Sequence, residues 1–172
     1  LQYGFTGPNL RAAGVDYDVR VADPYSSYEE FDFIIPVGTN GDTYDRFTVR
    51  QEEMRQSLSI IRQALEKLEK LSDKTTYRAN APEWVLPPKE GVYNNMEELI
   101  WHFKIVMGET EVPVGEVYHC VEGGNGELGF YLVSDGGRAP FRLHLRRPCY
   151  IYYQAFPEMI KGSMLSDAII TM

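Results

Sequence analysis

Cysteine, basic charge and long apolar runs are all scarce in this sequence, and each shortage excludes a class of protein. The two cysteines among 172 residues, Cys120 and Cys149, belong to no C-x-x-C pair. A zinc finger or a cysteine-ligated cluster therefore has no local support. A disulfide between the two stays open, although free thiols in a reducing compartment are the simpler interpretation.

Acidic residues outnumber basic ones, with 25 Asp and Glu against 17 Lys and Arg and a formal net charge of -8. Phosphate binding requires clustered Lys and Arg, so this balance predicts no nucleic-acid partner. No stretch offers the roughly 20 consecutive apolar residues of a membrane span, and the first residues do not resemble a signal peptide. We therefore expect a soluble, cytoplasmic chain.

Both ends of the chain predict that 1–172 is a piece of a longer protein. The sequence begins on Leu1 rather than Met, and it ends inside the apolar stretch 168–172, where no Gly or basic residue closes the predicted helix. A free-standing binding module would need natural ends at both places and is the weakest interpretation.

Helical periodicity is clearest over 43–71, where Asp42 is the predicted N-cap and apolar residues recur at spacings of four and three. These apolar residues are Met54, Leu58, Ile61, Leu65 and Leu68. We predict that this stripe is a packing seam. Asp42 and Arg46 are spaced for an ion pair between successive turns. A second helix is predicted at about 95–107, with Asn94 or Asn95 as its cap and Glu97 or Glu98 completing a capping box.

Period-two alternation predicts three antiparallel strands at 116–122, 127–134 and 141–146, joined into a meander. The fold class is thus α+β, a long amphipathic helix with a small antiparallel meander. The remaining segments are expected to be less regular. We predict loops over 1–41 with a strand-like run at 31–35, a polar connection over 72–92, and short helical pieces punctuated by Pro157 and Gly162.

Side chains that could carry chemistry are few. The glycine-rich stretch 123–129 joins two strands rather than a strand and a helix, which favours a tight turn over a phosphate site. The three histidines, His102, His119 and His144, are not at metal-ligand spacing and are interpreted as structural. No His and carboxylate accompany Ser134 or Cys149 in sequence, so no nucleophile is indicated. We expect no catalytic residue and no metal site in this chain.

Arginines form the most conspicuous charged pattern. Arg142, His144 and Arg146 share one face of a predicted strand, and the long helix carries Arg46 and Arg50 among others. Composition favours a solvated surface for them, and ion pairs inside a larger assembly are the alternative.

Several ordered blocks of the sequence resemble the forty-nine-kilodalton subunit (the D subunit in bacteria) of respiratory complex I, NADH:quinone oxidoreductase. The blocks are Thr6–Arg11, Gly14–Arg20, Gly41–Arg46 with Arg50, Glu53–Ser57, Gly126–Tyr131, Ser134–Gly137, Arg146–Pro148 and Gln154–Pro157. They are collinear over nearly the whole chain except the connection at about 72–92. Three positions depart from the family pattern, namely Asn125 in place of a basic residue, Cys149 in place of Ser and Tyr152 in place of Asn.

The resemblance implies a fold like that of the nickel–iron hydrogenase large subunit and a place beside the chain that holds the terminal iron–sulfur cluster. Together the two would form the chamber where quinone is reduced by electrons from NADH, beside the quinone-binding membrane subunit of a proton pump. It also implies a peripheral location on the cytoplasmic face of the membrane, reached through partners. The fragment itself is expected to bind no cofactor and to be inactive.

The same resemblance suggests structural or interface roles, rather than catalytic ones, for eight charged residues. They are Asp42, Arg46, Arg50, Glu127, Asp135, Arg142, Arg146 and Asp167. The alternative function is the large subunit of a membrane-bound, energy-converting hydrogenase, whose metal-binding cysteine pairs would lie outside this chain.

Overall fold

The computed structural model describes residues 2–71, 79–81, 84–108 and 111–172. The α-helices are α1 (Pro8–Ala12), α2 (Val19–Ala22), α3 (Thr43–Glu69), α4 (Lys89–Asn94), α5 (Met96–Val106), α6 (Pro148–Ile160) and α7 (Asp167–Thr171), with a 3-10 turn at Tyr28–Glu30. The strands are β1 (Gly115–Gly123), β2 (Gly126–Ser134) and β3 (Arg142–Arg146). Helices together with an antiparallel sheet confirm the α+β class.

Two compact units make up the fold. The first comprises Leu1–Lys70, Tyr118–Phe130 and Leu145–Met172, and the second comprises Leu71–Val117 and Tyr131–His144. The sheet has the strand order β1-β2-β3, which confirms the predicted meander. The glycine-rich stretch is a tight turn, as predicted, because only Gly124 and Asn125 separate β1 from β2.

Helix α3 begins where the sequence predicts. The Asp42 carboxylate accepts a hydrogen bond from the Asp45 amide at 2.8 Å, which satisfies one of the free N–H groups of the first turn. At 27 residues the helix is about 40 Å long. In α5, Asn95 is the cap, since its side chain accepts from the amide of Glu97. The Asn95 amide donates to Gly91 O, so it does not form the predicted capping box with Glu98.

The apolar stripe of α3, formed by Met54, Leu58, Ile61, Leu65 and Leu68, lies on the outside of the described structure. Each of its five side chains is more than half exposed. The described residues therefore do not cover the predicted packing seam.

The run at 31–35 is extended but is not a strand, so this prediction is wrong. Its amides bond to the side of α3, with Asp32 N donating to Gln63 Oε1 at 2.9 Å and Ile34 N donating to Gln56 Oε1 at 3.1 Å. Gln63 Nε2 returns a bond to Asp32 O at 2.7 Å. Glutamine side chains thus replace the neighbouring strand that alternation alone implies.

Three other segments are more helical than their composition predicts. Residues 1–41 contain α1, α2 and the 3-10 turn; Pro8 suits the first turn of α1, and Asp18 caps α2 by accepting from the Arg20 amide at 2.9 Å. Helix α6 begins at Pro148 and continues through Pro157 to Ile160, so Pro157 lies inside the helix and does not divide this segment as predicted. Helix α4 occupies the end of the predicted connection 72–92, of which 72–78 and 82–83 lie outside the described residues.

A close backbone approach fixes α1 against the segment before α3. Gly38 N donates to Arg11 O at 2.9 Å, and a Cβ built on Gly38 would lie 2.4 Å from Ala12 O. Only glycine fits at this distance, because the atom in the way belongs to backbone rather than to a flexible side chain.

We predict that Gly38→Ala lowers the free energy of unfolding by about 1–3 kcal/mol, since the added methyl group forces the two backbones apart. Urea unfolding followed by circular dichroism measures the change. Gly124→Ala is the matched control, because a Cβ there meets nothing within 4 Å. Equal effects of the two substitutions would contradict this explanation.

Candidate functional site

A buried arginine lies at the centre of the first compact unit. Arg11, on α1, is only 2% exposed, and its guanidinium contacts three carboxylates. Its Nη1 lies 2.9 Å from Glu122 Oε1 and 3.4 Å from Asp18 Oδ2, and its Nε donates to Glu53 Oε1 at 2.7 Å. Because Glu53 belongs to α3 and Glu122 to β1, this one side chain connects three parts of the fold.

A second arginine extends the cluster. Arg20 binds Asp18 as a fork, with Nε 3.0 Å from Oδ1 and Nη2 2.7 Å from Oδ2. Its guanidinium also lies 4.8 Å from the centre of the Phe33 ring. We refer to Arg11, Asp18, Arg20, Glu53 and Glu122 as the Arg11 network.

The environment moves the pKa values of the three carboxyls in different directions. Burial raises the pKa of Glu53 and of Glu122, and the opposing charge of Arg11 does not fully offset it. Burial acts on Asp18 as well, but the hydrogen bonds and charge of Arg20 outweigh it and hold the pKa of Asp18 below its usual value.

Two of the predicted residues, Glu127 near the start of β2 and Arg146 at the end of β3, lie close together. Arg146 Nη1 donates to Glu127 O at 3.0 Å and lies 3.6 Å from Glu127 Oε2, while Nη2 donates to Gly4 O at 2.9 Å. The Tyr118 hydroxyl donates to Glu127 Oε1 at 2.6 Å; burial and this bond raise the pKa of Tyr118 to about 12. The contacts hold the amino-terminal segment against β2.

Arg46 and Arg50 point towards the carboxy-terminal helix α7. Arg50 donates to Ile170 O, and its Nη2 lies 3.2 Å from Asn9 Oδ1. Arg46 donates to Gly41 O at 3.3 Å and to Thr171 Oγ1 at 3.4 Å. These two hydrogen bonds take the place of the predicted ion pair with Asp42.

Two further predicted residues close short turns, and one lies on the surface. Asp167 begins α7 and accepts from the amide of Met164 at 3.1 Å. Asp135 accepts from the amide of Gly137 at 3.0 Å in the bend after β2. Arg142 is exposed on β3, in the second compact unit.

An open cavity of about 400 Å³ lies between α3, α6 and α7. It is lined by Phe47, Arg50, Asn125, Cys149, Tyr152, Ile169, Ile170 and Met172. Asn125, Cys149 and Tyr152, the three positions expected to depart from the family pattern, meet in its wall. Asn125 Nδ2 lies 3.0 Å from Cys149 Sγ, and the Tyr152 hydroxyl contacts Asn125 O. Both Cys120 and Cys149 are free thiols, as expected.

Sequence reasoning missed the residues that make the strongest contacts. Arg11, Asp18 and Glu53 occur within the matched blocks but were not among the eight candidates, and Glu122 was interpreted only as a strand residue. Asp45 was also missed, although its Oδ2 accepts the amides of residues 39, 40 and 41 at 2.9, 2.6 and 3.1 Å. The sequence did offer a signal for Asp45, because an acidic residue in the first turn of a capped helix is placed to accept hydrogen bonds from free amides.

The five residues of the Arg11 network form one connected set of ion pairs. Within the described ranges, no three His, Cys, Asp or Glu side chains converge so that they could hold a metal ion. The Arg11 guanidinium lies between the carboxylates of Asp18, Glu53 and Glu122, in the position that a metal ion would need. No helix in the described part of the chain is both long and apolar enough to cross a membrane.

Comparisons with known proteins agree over the whole sequence. The family described as respiratory-chain NADH dehydrogenase, 49 Kd subunit, matches residues 1–172. The chain is 72% identical over 172 residues to the D 2 subunit of NADH-quinone oxidoreductase from Cytophaga hutchinsonii and to the D subunit from Flavobacterium johnsoniae, covering all of this chain and 44% and 41% of theirs. It is 51% identical to the C/D subunit from Bdellovibrio bacteriovorus, covering 30% of that protein. The chain thus spans about two fifths of the D-subunit relatives.

We predict that Arg11→Met lowers the free energy of unfolding by about 3–5 kcal/mol, because it leaves buried carboxylates without their partner. Urea unfolding of the full chain measures the loss. The control is Arg55→Met, which breaks an exposed pair with Glu52 and is expected to cost less than about 1 kcal/mol. An Arg11→Met loss as small as that of the control would refute a central role for Arg11.

Proposed function

We propose a role in respiratory complex I for this chain, because it belongs to the family of the 49 kDa subunit of respiratory-chain NADH dehydrogenase. The family match over every residue is the observation that carries the proposal. In this role the chain is part of a subunit of an NADH:quinone oxidoreductase that translocates protons. It helps to form the wall of the quinone-reduction chamber and provides no reacting group itself.

The contacts of the first compact unit fit such a scaffolding role. Arg11, Arg46, Arg50 and Arg146 each bond to a segment distant in sequence, so the arginines fix positions rather than present charge to a substrate. Quinone, NADH and iron–sulfur clusters would then be held by other parts of the subunit and by partner subunits. The chain would reach the cytoplasmic face of the membrane through those partners, including the one that holds the terminal iron–sulfur cluster and the quinone-binding membrane subunit.

The eight candidate residues divide into two groups under this proposal. Six of them make hydrogen bonds within the first compact unit and are assigned structural roles: Asp42, Arg46, Arg50, Glu127, Arg146 and Asp167. Asp135 stabilises a bend of the second unit, and Arg142 stays exposed there, so Arg142 is the better candidate for an interface with a partner subunit.

The exposed stripe of α3 supports a position inside a larger subunit. Its five side chains recur at alternating spacings of four and three, the seven-residue repeat with which one helix packs against another. The chain spans only 41–44% of its D-subunit relatives. We propose that the stripe is covered by a helix from the remainder of the full-length protein, in a fold like that of the nickel–iron hydrogenase large subunit.

We predict that Arg146→Ala in the full-length subunit lowers the amount of assembled complex several-fold, because Gly4, Thr6 and Glu127 lose a shared partner. Native gels of membranes measure the complex, and NADH-dependent quinone reduction should fall in proportion. Arg55→Ala, whose exposed side chain pairs with Glu52, is the control and should leave the amount close to normal. A normal amount of complex with weakened quinone affinity would contradict the structural role. If the membranes of the Arg146→Ala variant lose hydrogen oxidation rather than NADH oxidation, the result favours the hydrogenase alternative.

We also predict that Ile61→Asp in the full-length protein disrupts assembly, since a carboxylate placed in a covered apolar seam has no partner there. The measurement is the fraction of the protein recovered in the assembled complex. Arg62→Asp, on the neighbouring exposed position, carries the same new side chain outside the stripe. If both variants assemble normally, the stripe is not covered in the complex.

A further inference from the structure

The charges of the Arg11 network do not balance. Two guanidinium groups, those of Arg11 and Arg20, face three carboxyl groups, so the fully ionised network carries one excess negative charge. This charge lies in the interior, because the side chains of Asp18 and Glu122 are only 1% and 4% exposed and that of Glu53 is 16% exposed. An uncompensated charge of this kind is costly to bury.

Groups on the surrounding elements offer no described counter-charge. The segments before and after α2 contribute Tyr17 and Tyr25, and β1 contributes Cys120. Burial raises the pKa of each of these three groups, so all three are neutral near pH 7.

The cations of neighbouring elements have other partners. Arg50, one turn before Glu53 on α3, donates to Ile170 O and Asn9 Oδ1. Arg146 lies against Glu127, and these two charges cancel.

The donors available to each carboxyl differ. Asp18 receives the side-chain fork and the amide of Arg20 as well as a contact from Arg11, and these donors favour its ionised form. Glu53 is bonded by Arg11, and Glu122 by Arg11 and by the amide of Val19 at the longer distance of 3.4 Å. Glu53 and Glu122 are therefore the two less stabilised anions.

We propose that the Arg11 network binds one proton at neutral pH, carried by Glu53 or Glu122, and that the two glutamates compete for it through their shared partner Arg11. The network is then neutral, and α1, α3 and β1 are joined by a group that titrates. This inference goes beyond the proposed function and holds whatever the larger complex does.

Charge counting gives the proposal a distinctive consequence. Replacing either Glu53 or Glu122 with Gln leaves two arginines facing two carboxylates, so the remaining glutamate no longer needs a proton. Either single substitution should therefore remove the bound proton. A carboxyl protonated only because of its own burial would behave differently, since it would keep its proton when the other glutamate is replaced.

The test is infrared spectroscopy of the full chain with glutamate labelled by carbon-13 at the side-chain carboxyl, recorded as a function of pH. We expect a band of protonated glutamate at pH 7 in the unsubstituted chain and its loss in both Glu53→Gln and Glu122→Gln. Glu52→Gln is the matched control and should keep the band, because Glu52 is paired with Arg55 and Gln56 outside the network.

A second readout is the pH dependence of stability. A carboxyl whose pKa is higher in the folded state than its unfolded value of about 4.5 makes the folded chain lose stability as pH rises above that value, until the folded pKa is passed. Both Gln variants should remove this slope, and Glu52→Gln should not.

No protonated glutamate at pH 7 in the unsubstituted chain would overturn the proposal. A band that persists in either Gln variant would also overturn it, because the charge count would then be the wrong explanation. If one variant fails to fold by circular dichroism, the unsubstituted chain and the other variant still decide the question.

Discussion

The Arg11 guanidinium is the contact on which the first compact unit depends, because it is the point where segments far apart in sequence meet. Its partners Glu53 and Glu122 lie 42 and 111 residues further along the chain. A bond between such distant residues has to offset the entropy of closing long loops, and a buried charge-assisted bond is among the few single contacts strong enough to contribute much. Loss of either partner is strongly destabilising, because a carboxylate left unpaired in the interior lowers the free energy of unfolding by several kcal/mol.

Close backbone contacts hold the first compact unit together in addition to the bonds of Arg11. A Cβ on Gly7 would lie 2.4 Å from Gly126 Cα, so the amino-terminal segment lies directly on the turn between β1 and β2. The Tyr152 hydroxyl contacts the carbonyls of Thr6 and Asn125 at the same place, and its ring is nearly fully buried. Because glycine and polar groups make these contacts, they order the chain without a large apolar core.

Local patterns predicted local structure, and they failed wherever a distant residue decided the outcome. Periodicity was enough for α3 and the three strands, whose hydrogen bonds lie within the helix or between consecutive strands. It was misleading at 31–35, where Gln56 and Gln63 of α3 take the place of a neighbouring strand. The Arg11 network could not be predicted either, because nothing in the spacing of Glu53 and Glu122 indicates that they share an arginine.

Helix α3 turns its faces the opposite way from a usual surface helix, which buries its apolar face and exposes its polar one. Apart from the buried Val49, the side chains that it turns towards the rest of the first unit are mainly polar, with Asp45, Glu53, Gln56 and Gln63 all hydrogen-bonded there, while its apolar stripe faces outwards. Hydrophobic burial ordinarily holds such a helix in place, and within the described chain α3 buries only Val49 of its apolar side chains. Specific polar bonds fix the position of the helix, and the apolar face remains available for a partner. A helix held in this way can accept a neighbour without repacking its own interior, which is the property that a shared wall between parts of a larger subunit requires.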